Sequence, residues 1–309
     1  MKLQKPKFWQ NINLISIGLL PLSFITLIFI HIKNIIIKKN KFNIPIICVG
    51  NIFLGGTGKT PLSIYIYNLF TKKKKRPAIV RKYYPSHYDE INFTKSKIKN
   101  IYIENSRYAG IKKAENKKHD VIILDDGLQD ISIKKKQSIA CFNSDDLIGN
   151  GLLLPAGPLR EPLKNLNQVK LIVINGKRNI AFEKKLKIKS PKAKIFYSTY
   201  IPKNIKKFKG KRILAFAGIG NPNGFFNMLK RHKLNIGDEI SFPDHYDYNK
   251  DEILNLIRRA KKERMKLITT EKDYYRLKTL GFLKIEYISV NLKIVNEKSF
   301  CKELFKIYE

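Results

Sequence analysis

The residues with the plainest chemistry lie together in Ile47-Cys48-Val49-Gly50-Asn51-Ile52-Phe53-Leu54-Gly55-Gly56-Thr57-Gly58-Lys59-Thr60. This is an apolar run, a glycine-rich loop and the start of a helix. The glycines permit backbone conformations that aim successive N–H groups at phosphate oxygens. The helix N-terminus behind them adds its positive dipole end. In such a P-loop, Lys59 reaches the β and γ phosphates and Thr60 places its hydroxyl on Mg²⁺. Gly55, Gly56, Thr57, Gly58, Lys59 and Thr60 are therefore expected to cradle the phosphates of ATP. One position departs from the GxxxxGK[ST] spacing: Phe53 stands where the first glycine belongs.

A second group supports the first. Val121-Ile122-Ile123-Leu124-Asp125-Asp126 is an apolar run ending in two carboxylates, where a Walker B acid would hold Mg²⁺ or its water. Adjacent carboxylates repel unless a cation lies between them, so Asp125 and Asp126 with Thr60 make the expected metal site. Taken alone, an Asp-Asp pair before Gly127 is a solvated turn. The P-loop tips the reading to metal.

These groups need a scaffold. Ile44 to Val49, Ala78 to Val80, Val121 to Leu124, Ile139 to Phe142 and Leu171 to Ile174 are β-branched runs of strand length without polar alternation. That is the pattern of parallel strands covered on both faces. Pro61 to Phe70 has helical spacing, giving βαβ units and an open sheet with ligands at the carboxyl ends of its strands. A Lys-rich stretch from Lys203 to Arg212 marks a boundary, and the alternation resumes with Ile213 to Ala217, Leu267 to Thr269 and Tyr287 to Val290. Asn221-Pro222 reads as an N-cap with proline at the first helical position. Asn249 with Glu252 fits a capping box before Ile253, Leu256, Ile257 and Ala260. The fold expected is α/β, a P-loop NTPase-like, mostly parallel sheet with a second, smaller α/β domain and an N-terminal membrane-associated helix. The segments are 1–40, 41–205 and 206–309.

The N-terminal segment is expected from Phe8 to Ile32, which contains no Asp, Glu, Lys or Arg. A helix of that length can cross a hydrocarbon core of about 30 Å, and it is too long for a signal-peptide core. Gly18 and Pro21 interrupt it, so spanning, embedding at one face and a bent hairpin all stay open. Lys33, Lys38, Lys39 and Lys41 follow, which keeps the rest of the chain cytoplasmic by the positive-inside tendency. A buried core helix is the plainer alternative, but seldom needs so long an uncharged run.

The 309 residues suffice for one large α/β domain or two smaller ones. With 61 Lys plus Arg against 25 Asp plus Glu, the formal charge is +36, which favours anionic partners. The basic residues are spread along the chain without an aromatic RNP-type or zinc-finger pattern, so no nucleic-acid partner is expected. Three widely spaced cysteines, Cys48, Cys141 and Cys301, offer neither a disulfide framework nor a CxxC site and suit a reducing compartment.

The order of landmarks resembles the tetraacyldisaccharide 4'-kinase family across nearly the whole chain. The pieces are the apolar N-terminus, Val49-Gly50-Asn51 leading into the P-loop and Pro61, and Asp125-Asp126-Gly127-Leu128-Gln129. Leu153-Leu154-Pro155-Ala156-Gly157-Pro158-Leu159-Arg160-Glu161-Pro162 follows, then Phe242-Pro243-Asp244-His245 and Thr270-Glu271-Lys272-Asp273. The ten-residue run ending in Pro162 is the most specific, and a missing first Walker glycine is itself a family feature. The resemblance implies transfer of the ATP γ-phosphoryl group to the 4'-hydroxyl of an anionic, acylated glucosamine disaccharide 1-phosphate. It also implies work on the cytoplasmic face of the bacterial inner membrane, against its lipid surface. By the same resemblance Asp89, of the pair Asp89-Glu90, matches the family's base, with His245 assisting; an imidazole can orient such a carboxylate and tune it.

The chain departs from the family in places. Arg81-Lys82-Tyr83-Tyr84 replaces Arg-Gly-Tyr-Gly, Asp89-Glu90 lacks its flanking Gly and Pro, Asp130 follows Gln129 where His is usual, and Tyr246 follows His245. Arg160 is expected either to clamp a phosphate, of ATP or of the substrate, or to pair with Glu161 or another acid. Gln129 is expected to bond the nucleotide or to stabilise its own turn. Two other readings stand beside the kinase: a soluble P-loop kinase or NTPase for a small molecule, with the N-terminus buried, and a P-loop module that couples ATP to a membrane partner without phosphorylating it.

Overall fold

The computed structural model of the chain describes residues 6–244 and 246–309, and of Ser86 the backbone alone. His245 lies outside the described residues. In chain order the first elements are α1 (Leu14–Gly18), α2 (Leu20–Ile36), β1 (Ile46–Gly50), α3 (Lys59–Lys72) and β2 (Pro77–Lys82). Then come α4 (Tyr88–Lys97), β3 (Ile101–Glu104), α5 (Arg107–Asn116), β4 (Val121–Asp125) and β5 (Gln137–Asn143). They are followed by β6 (Leu171–Asn175), α6 (Ile180–Lys189), β7 (Lys194–Pro202), β8 (Arg212–Ala217), α7 (Pro222–Arg231) and β9 (Asn235–Ser241). The chain closes with α8 (Lys250–Lys262), β10 (Lys266–Thr270), α9 (Glu271–Thr279), β11 (Glu286–Ile288), β12 (Val290–Ile294) and α10 (Glu297–Phe305).

The chain divides into two compact units. One holds residues 6–83, 98–199 and 293–309; the other holds Tyr84–Lys97 and Tyr200–Leu292. The first is organised on a sheet of order β12-β7-β6-β5-β1-β4-β2-β3, parallel from β7 through β3. Every residue of β1 and β4 is buried, as unalternated apolar strands require when both faces are covered. Phe142, Ile172 and Phe182 pack with Ile52 and Phe53 in one core cluster and Ile46, Val80, Ile111 and Leu124 in another, side by side on the same face of the sheet. The central strand β1 lies between β4 and β5, so the loops after β1 and β4 leave the sheet side by side. That is where an open α/β sheet binds ligands.

The second unit has a parallel sheet of order β11-β10-β8-β9, with Phe208, Phe226 and Leu229 on one face and Phe216, Ile253 and Leu277 on the other. Asn221 caps α7, with Pro222 in its first turn. Asn249 and Glu252 form the reciprocal capping box of α8.

The division differs from the expected segments in three places. Residues 84–97 belong with the second unit, because α4 packs on α9: Phe93 meets Tyr275 at 6.4 Å between ring centroids, and Asp89 pairs with Arg276. The last segment belongs with the first unit, because α10 buries Phe300 against Phe196, centroids 5.2 Å apart, and Phe305 meets Phe70 at 4.8 Å. Residues 6–40 likewise fall within the first unit. Trp9 donates its indole N–H to the Pro155 carbonyl at 3.0 Å, and Ser23 its hydroxyl to Leu153 O at 2.9 Å. The expected strand from Tyr287 to Val290 is two strands, β11 and β12, in different sheets.

The uncharged N-terminal run does not make one spanning helix. Asn13 and Ser16 cap α1 reciprocally, the helix stops at Gly18, and α2 restarts with Pro21 in its first turn. At 1.5 Å per residue, the 17 residues of α2 cover about 26 Å, short of a hydrocarbon core of about 30 Å. No helix among the described residues is long and apolar enough to cross a membrane. Leu20, Leu22, Phe24, Ile25, Ile28, Phe29 and Ile32 of α2 are nevertheless exposed.

Candidate active site

In the first unit, β1 delivers Asn51 to the base of the P-loop. Its buried amide donates to Phe53 O at 2.5 Å and Thr57 Oγ1 at 2.9 Å, pinning the loop from inside. Gly58 caps α3 in the left-handed region at φ 85°, which a side chain would disfavour. Gly50 is needed for close approach: a Cβ there would lie 2.7 Å from Leu128 Cγ. Phe53, in place of the first Walker glycine, forms an antiparallel bridge with Leu159. Leu54 N donates to Pro158 O at 2.8 Å and Arg160 N to Ile52 O at 2.7 Å. The Phe53 ring is buried in the core cluster with Phe142 and Leu159. The entry to the loop is thus held by a strand-like pairing to the segment before Arg160, and a side chain anchors it.

Thr60 and Asp125 come together as the sequence leads one to expect. Thr60 Oγ1 donates to Asp125 Oδ2 at 2.9 Å, and Ser63 Oγ donates to Asp125 Oδ1 at 3.0 Å. Arg81, at the end of β2, donates from Nη1 to Asp125 Oδ2 at 2.9 Å and to Thr60 Oγ1 at 3.3 Å. Asp126, in the left-handed region at φ 53°, turns to other cations. Arg160 Nη2 lies 2.9 Å from Asp126 Oδ1, and Lys59 Nζ 3.8 Å from the same atom. The two adjacent carboxylates are therefore served by separate cations. Burial acts to raise the carboxyl of Asp126, but Lys59 and Arg160 outweigh it and hold the group well below the usual range. Burial also pulls the Lys59 ammonium down, with Asp126 opposing.

Arg160 pairs with Asp126 and also donates to the Asn51 side chain, while Glu161 accepts from Asn165 at 3.2 Å. The Gln129 amide donates to Asn51 O at 2.7 Å, tying the turn after β4 to the P-loop base. Cys48 and Cys141 are free and buried, and burial pushes both thiols up. No group of three or more His, Cys, Asp or Glu among the described residues could hold a metal ion. The donors on hand, a hydroxyl and a carboxylate at hydrogen-bond distance, fit a hard cation that takes its other oxygens from phosphate and water.

In the second unit, Asp89 opens α4 and is buried. Arg276 of α9 donates to Asp89 Oδ2 from Nε at 2.9 Å and from Nη2 at 2.5 Å. Lys272 Nζ lies 2.9 Å from Glu90 Oε1, 3.7 Å from Asp89 Oδ2 and 3.7 Å from Asp244 Oδ1. Burial lowers the Lys272 ammonium, against the pull of Asp244 and Asp89. Asn51, Ser63, Arg81, Lys272 and Arg276 carry no role in the sequence reading. Lys272 and Arg276 had a signal there: cations four residues apart share one face of a helix, and they follow Thr270-Glu271. Arg81 had none pointing to Asp125, 44 residues on.

A family model described as tetraacyldisaccharide-1-P 4'-kinase matches residues 15–309. A tetraacyldisaccharide 4'-kinase of Pelagibacter ubique is 41% identical, covering 100% of this chain and 99% of its own. One of Rickettsia canadensis is 36% identical, covering 98% of each. Among solved structures, the "apo" form of LpxK from Aquifex aeolicus, in complex with ATP, matches with a TM-score of 0.70 at 24% identity. It covers 96% of this chain and 100% of that one.

Proposed function

The chain belongs to the tetraacyldisaccharide-1-P 4'-kinase family, and from that premise we propose that it moves the γ-phosphoryl group of ATP onto the 4'-hydroxyl of tetraacyldisaccharide 1-phosphate. The carrying observation is that a family match over residues 15–309 coincides with a P-loop whose Thr60 hydroxyl and Asp125 carboxylate meet at 2.9 Å.

In this reading Gly55, Gly56, Thr57 and Gly58 direct backbone N–H groups at the phosphates, and Lys59 neutralises charge on the β and γ groups. Thr60, Asp125 and Asp126 would hold Mg²⁺ and its water, an ion that would supply positive charge against the transferring phosphoryl. Arg160 exchanges its contact with Asp126 for a phosphate, to which a guanidinium fork is suited. Gln129 fixes the turn beneath the loop. Asp89 takes the proton of the acceptor hydroxyl, with His245 assisting. Phosphoryl transfer demands positioning and charge neutralisation more than covalent chemistry, which matches a site built from paired ions.

The exposed apolar face of α2, with Lys33, Lys38, Lys39 and Lys41 after it, embeds at the cytoplasmic face of the inner membrane, where an acylated acceptor resides. Membrane association then comes without a crossing helix. Transfer of labelled phosphate from ATP in detergent tests the residue roles. Lys59→Ala and Asp89→Ala are expected to lower turnover by at least a hundredfold in folded protein. Normal turnover in Asp89→Ala would remove it as the base.

A further inference from the structure

We infer that Arg276 is a positioning residue for the phosphoryl-transfer step, holding the Asp89 carboxylate in one orientation through a chain of ion pairs anchored on Asp273. The inference rests on the reading of Asp89 as the group that accepts the hydroxyl proton. Arg276 gives both Nε, at 2.9 Å, and Nη2 to one oxygen of Asp89, Oδ2. Its third nitrogen, Nη1, donates to Gly218 O at 2.6 Å and Asp273 Oδ1 at 2.8 Å. A guanidinium fixed at its far end cannot swing, so the plane it offers Asp89 is set in advance.

The anchor is itself immobile. Asp273 is fully buried, and its Oδ2 accepts from Thr270 Oγ1 at 2.7 Å and from Gly218 N at 3.0 Å. Its Oδ1 accepts from Tyr248 OH at 3.1 Å as well as from Arg276. The positions belong to rigid parts: Thr270 ends β10 and caps α9, and Gly218 follows β8. A closer approach at Gly218 is closed to any side chain, since a Cβ there would stand 2.6 Å from Tyr248 OH. So the sheet of this unit fixes Asp273, Asp273 fixes Arg276, and Arg276 fixes the carboxylate.

This arrangement has a purpose that bare ion pairing does not need. A general base must present a defined lone pair to the hydroxyl within hydrogen-bond reach, and a misplacement of about 1 Å can cost about a hundredfold. Among the described residues, the charged groups against Asp89 include Arg276 and Lys272 from α9; beside it stand Glu90 and His87 on its own segment, and Asp244 shares Lys272. Asp89 also lies in the first turn of α4, where the helix dipole favours a carboxylate. Two cations, Arg276 and Lys272, lie against the same oxygen of Asp89, which leaves Oδ1 as the oxygen outside that pair.

The test uses the full chain with Mg²⁺-ATP and the lipid acceptor, comparing Arg276→Met, Arg276→Lys and Asp89→Asn by kcat, KM and the pH dependence of kcat, with thermal melting as a check on folding. Arg276→Met is expected to lower kcat at least tenfold with little change in KM for ATP. It should also move the acid limb upward by about one to three pH units, the usual effect of an adjacent guanidinium on an aspartate. Arg276→Lys should return the acid limb close to its starting place with only part of kcat, since the charge is restored and the fork is not. A folded Arg276→Met with unchanged kcat and acid limb would overturn the inference. So would equal losses in both variants without any movement of that limb. If Arg276→Met does not fold, the acid limb and partial kcat of Arg276→Lys decide alone. Normal turnover in Asp89→Asn would instead sink the role of Asp89, whatever Arg276 does.

Discussion

Replacing Arg81 by Met removes the cation from a buried pair beneath the P-loop. Arg81 Nη1 and Asp125 Oδ2 are 2.9 Å apart, with side chains only 4% and 1% exposed. The other groups hydrogen-bonded to Asp125, the hydroxyls of Thr60 and Ser63, are neutral, which leaves its charge to the more distant Lys59. Removing one member of such a pair typically costs about 3–5 kcal/mol, because the remaining ion is buried without its partner. In a unit of this size about 2–4 °C is lost per kcal/mol, so the first transition should fall by roughly 6–20 °C. The assay is thermal melting of the full chain, with midpoints compared directly because two units need not melt as one. Arg81→Met with Asp125→Asn should recover more than half of the loss, since no buried charge is then stranded. Lys112→Met, which breaks an exposed pair with Glu115, should change stability by no more than about 0.5 kcal/mol. A single Arg81→Met variant melting within about 2 °C of the parent, or a double variant no better than the single, would show that no buried charge is stranded there.

Three further outcomes are expected. Asp126 has a folded pKa below its ordinary value, so its charge adds stability that is present above the unfolded pKa and is lost as pH falls through the folded one. Asp126→Asn should therefore melt below the parent at pH 7, with the gap closing as pH falls below about 4; an equal gap at pH 7 and pH 3 would contradict this. Phe53→Gly restores the consensus glycine but empties a buried ring site, at about 3–5 kcal/mol. Calorimetry should show a lower melting temperature and no gain in nucleotide affinity. Ser23→Ala loses the bond to Leu153 O and leaves the Ala156 N–H, which donates to Ser23 Oγ at 3.1 Å, without its acceptor. The expected cost is about 1–3 kcal/mol, read as faster limited proteolysis within α2; unchanged cleavage there would show that these bonds do not hold α2 in place.

Much of the first unit is legible in the sequence because its physics is local. β1 and β4 are buried on both faces, so their apolar runs are unbroken, and the glycines and carboxylates that follow them mark where the strands end. The meaning of Phe53 is not local. It depends on a bridge to Leu159, far along the chain, which turns a loop entry into a paired strand. The same holds for Arg81, whose value comes from a parallel sheet in which β2 and β4 are neighbours. Placing α4 with the second unit also escapes a reading along the chain, since α4 lies between two strands of the first sheet but buries its face on α9. In the N-terminus the signals were present and competed: the apolar length argued for one helix, while Gly18 and Pro21 interrupted it. Local capping and backbone chemistry prevail over hydropathy there.

In the proposed reaction a lipid-linked hydroxyl, and not water, receives the phosphoryl group. Wild-type protein in detergent, given γ-labelled ATP, Mg²⁺ and tetraacyldisaccharide 1-phosphate, can be assayed for label in the lipid fraction and as inorganic phosphate in the same reaction. Label should accumulate in the lipid, on the 4' oxygen, in step with ADP formed. Inorganic phosphate released in step with ADP, with no labelled lipid, would contradict the proposed reaction.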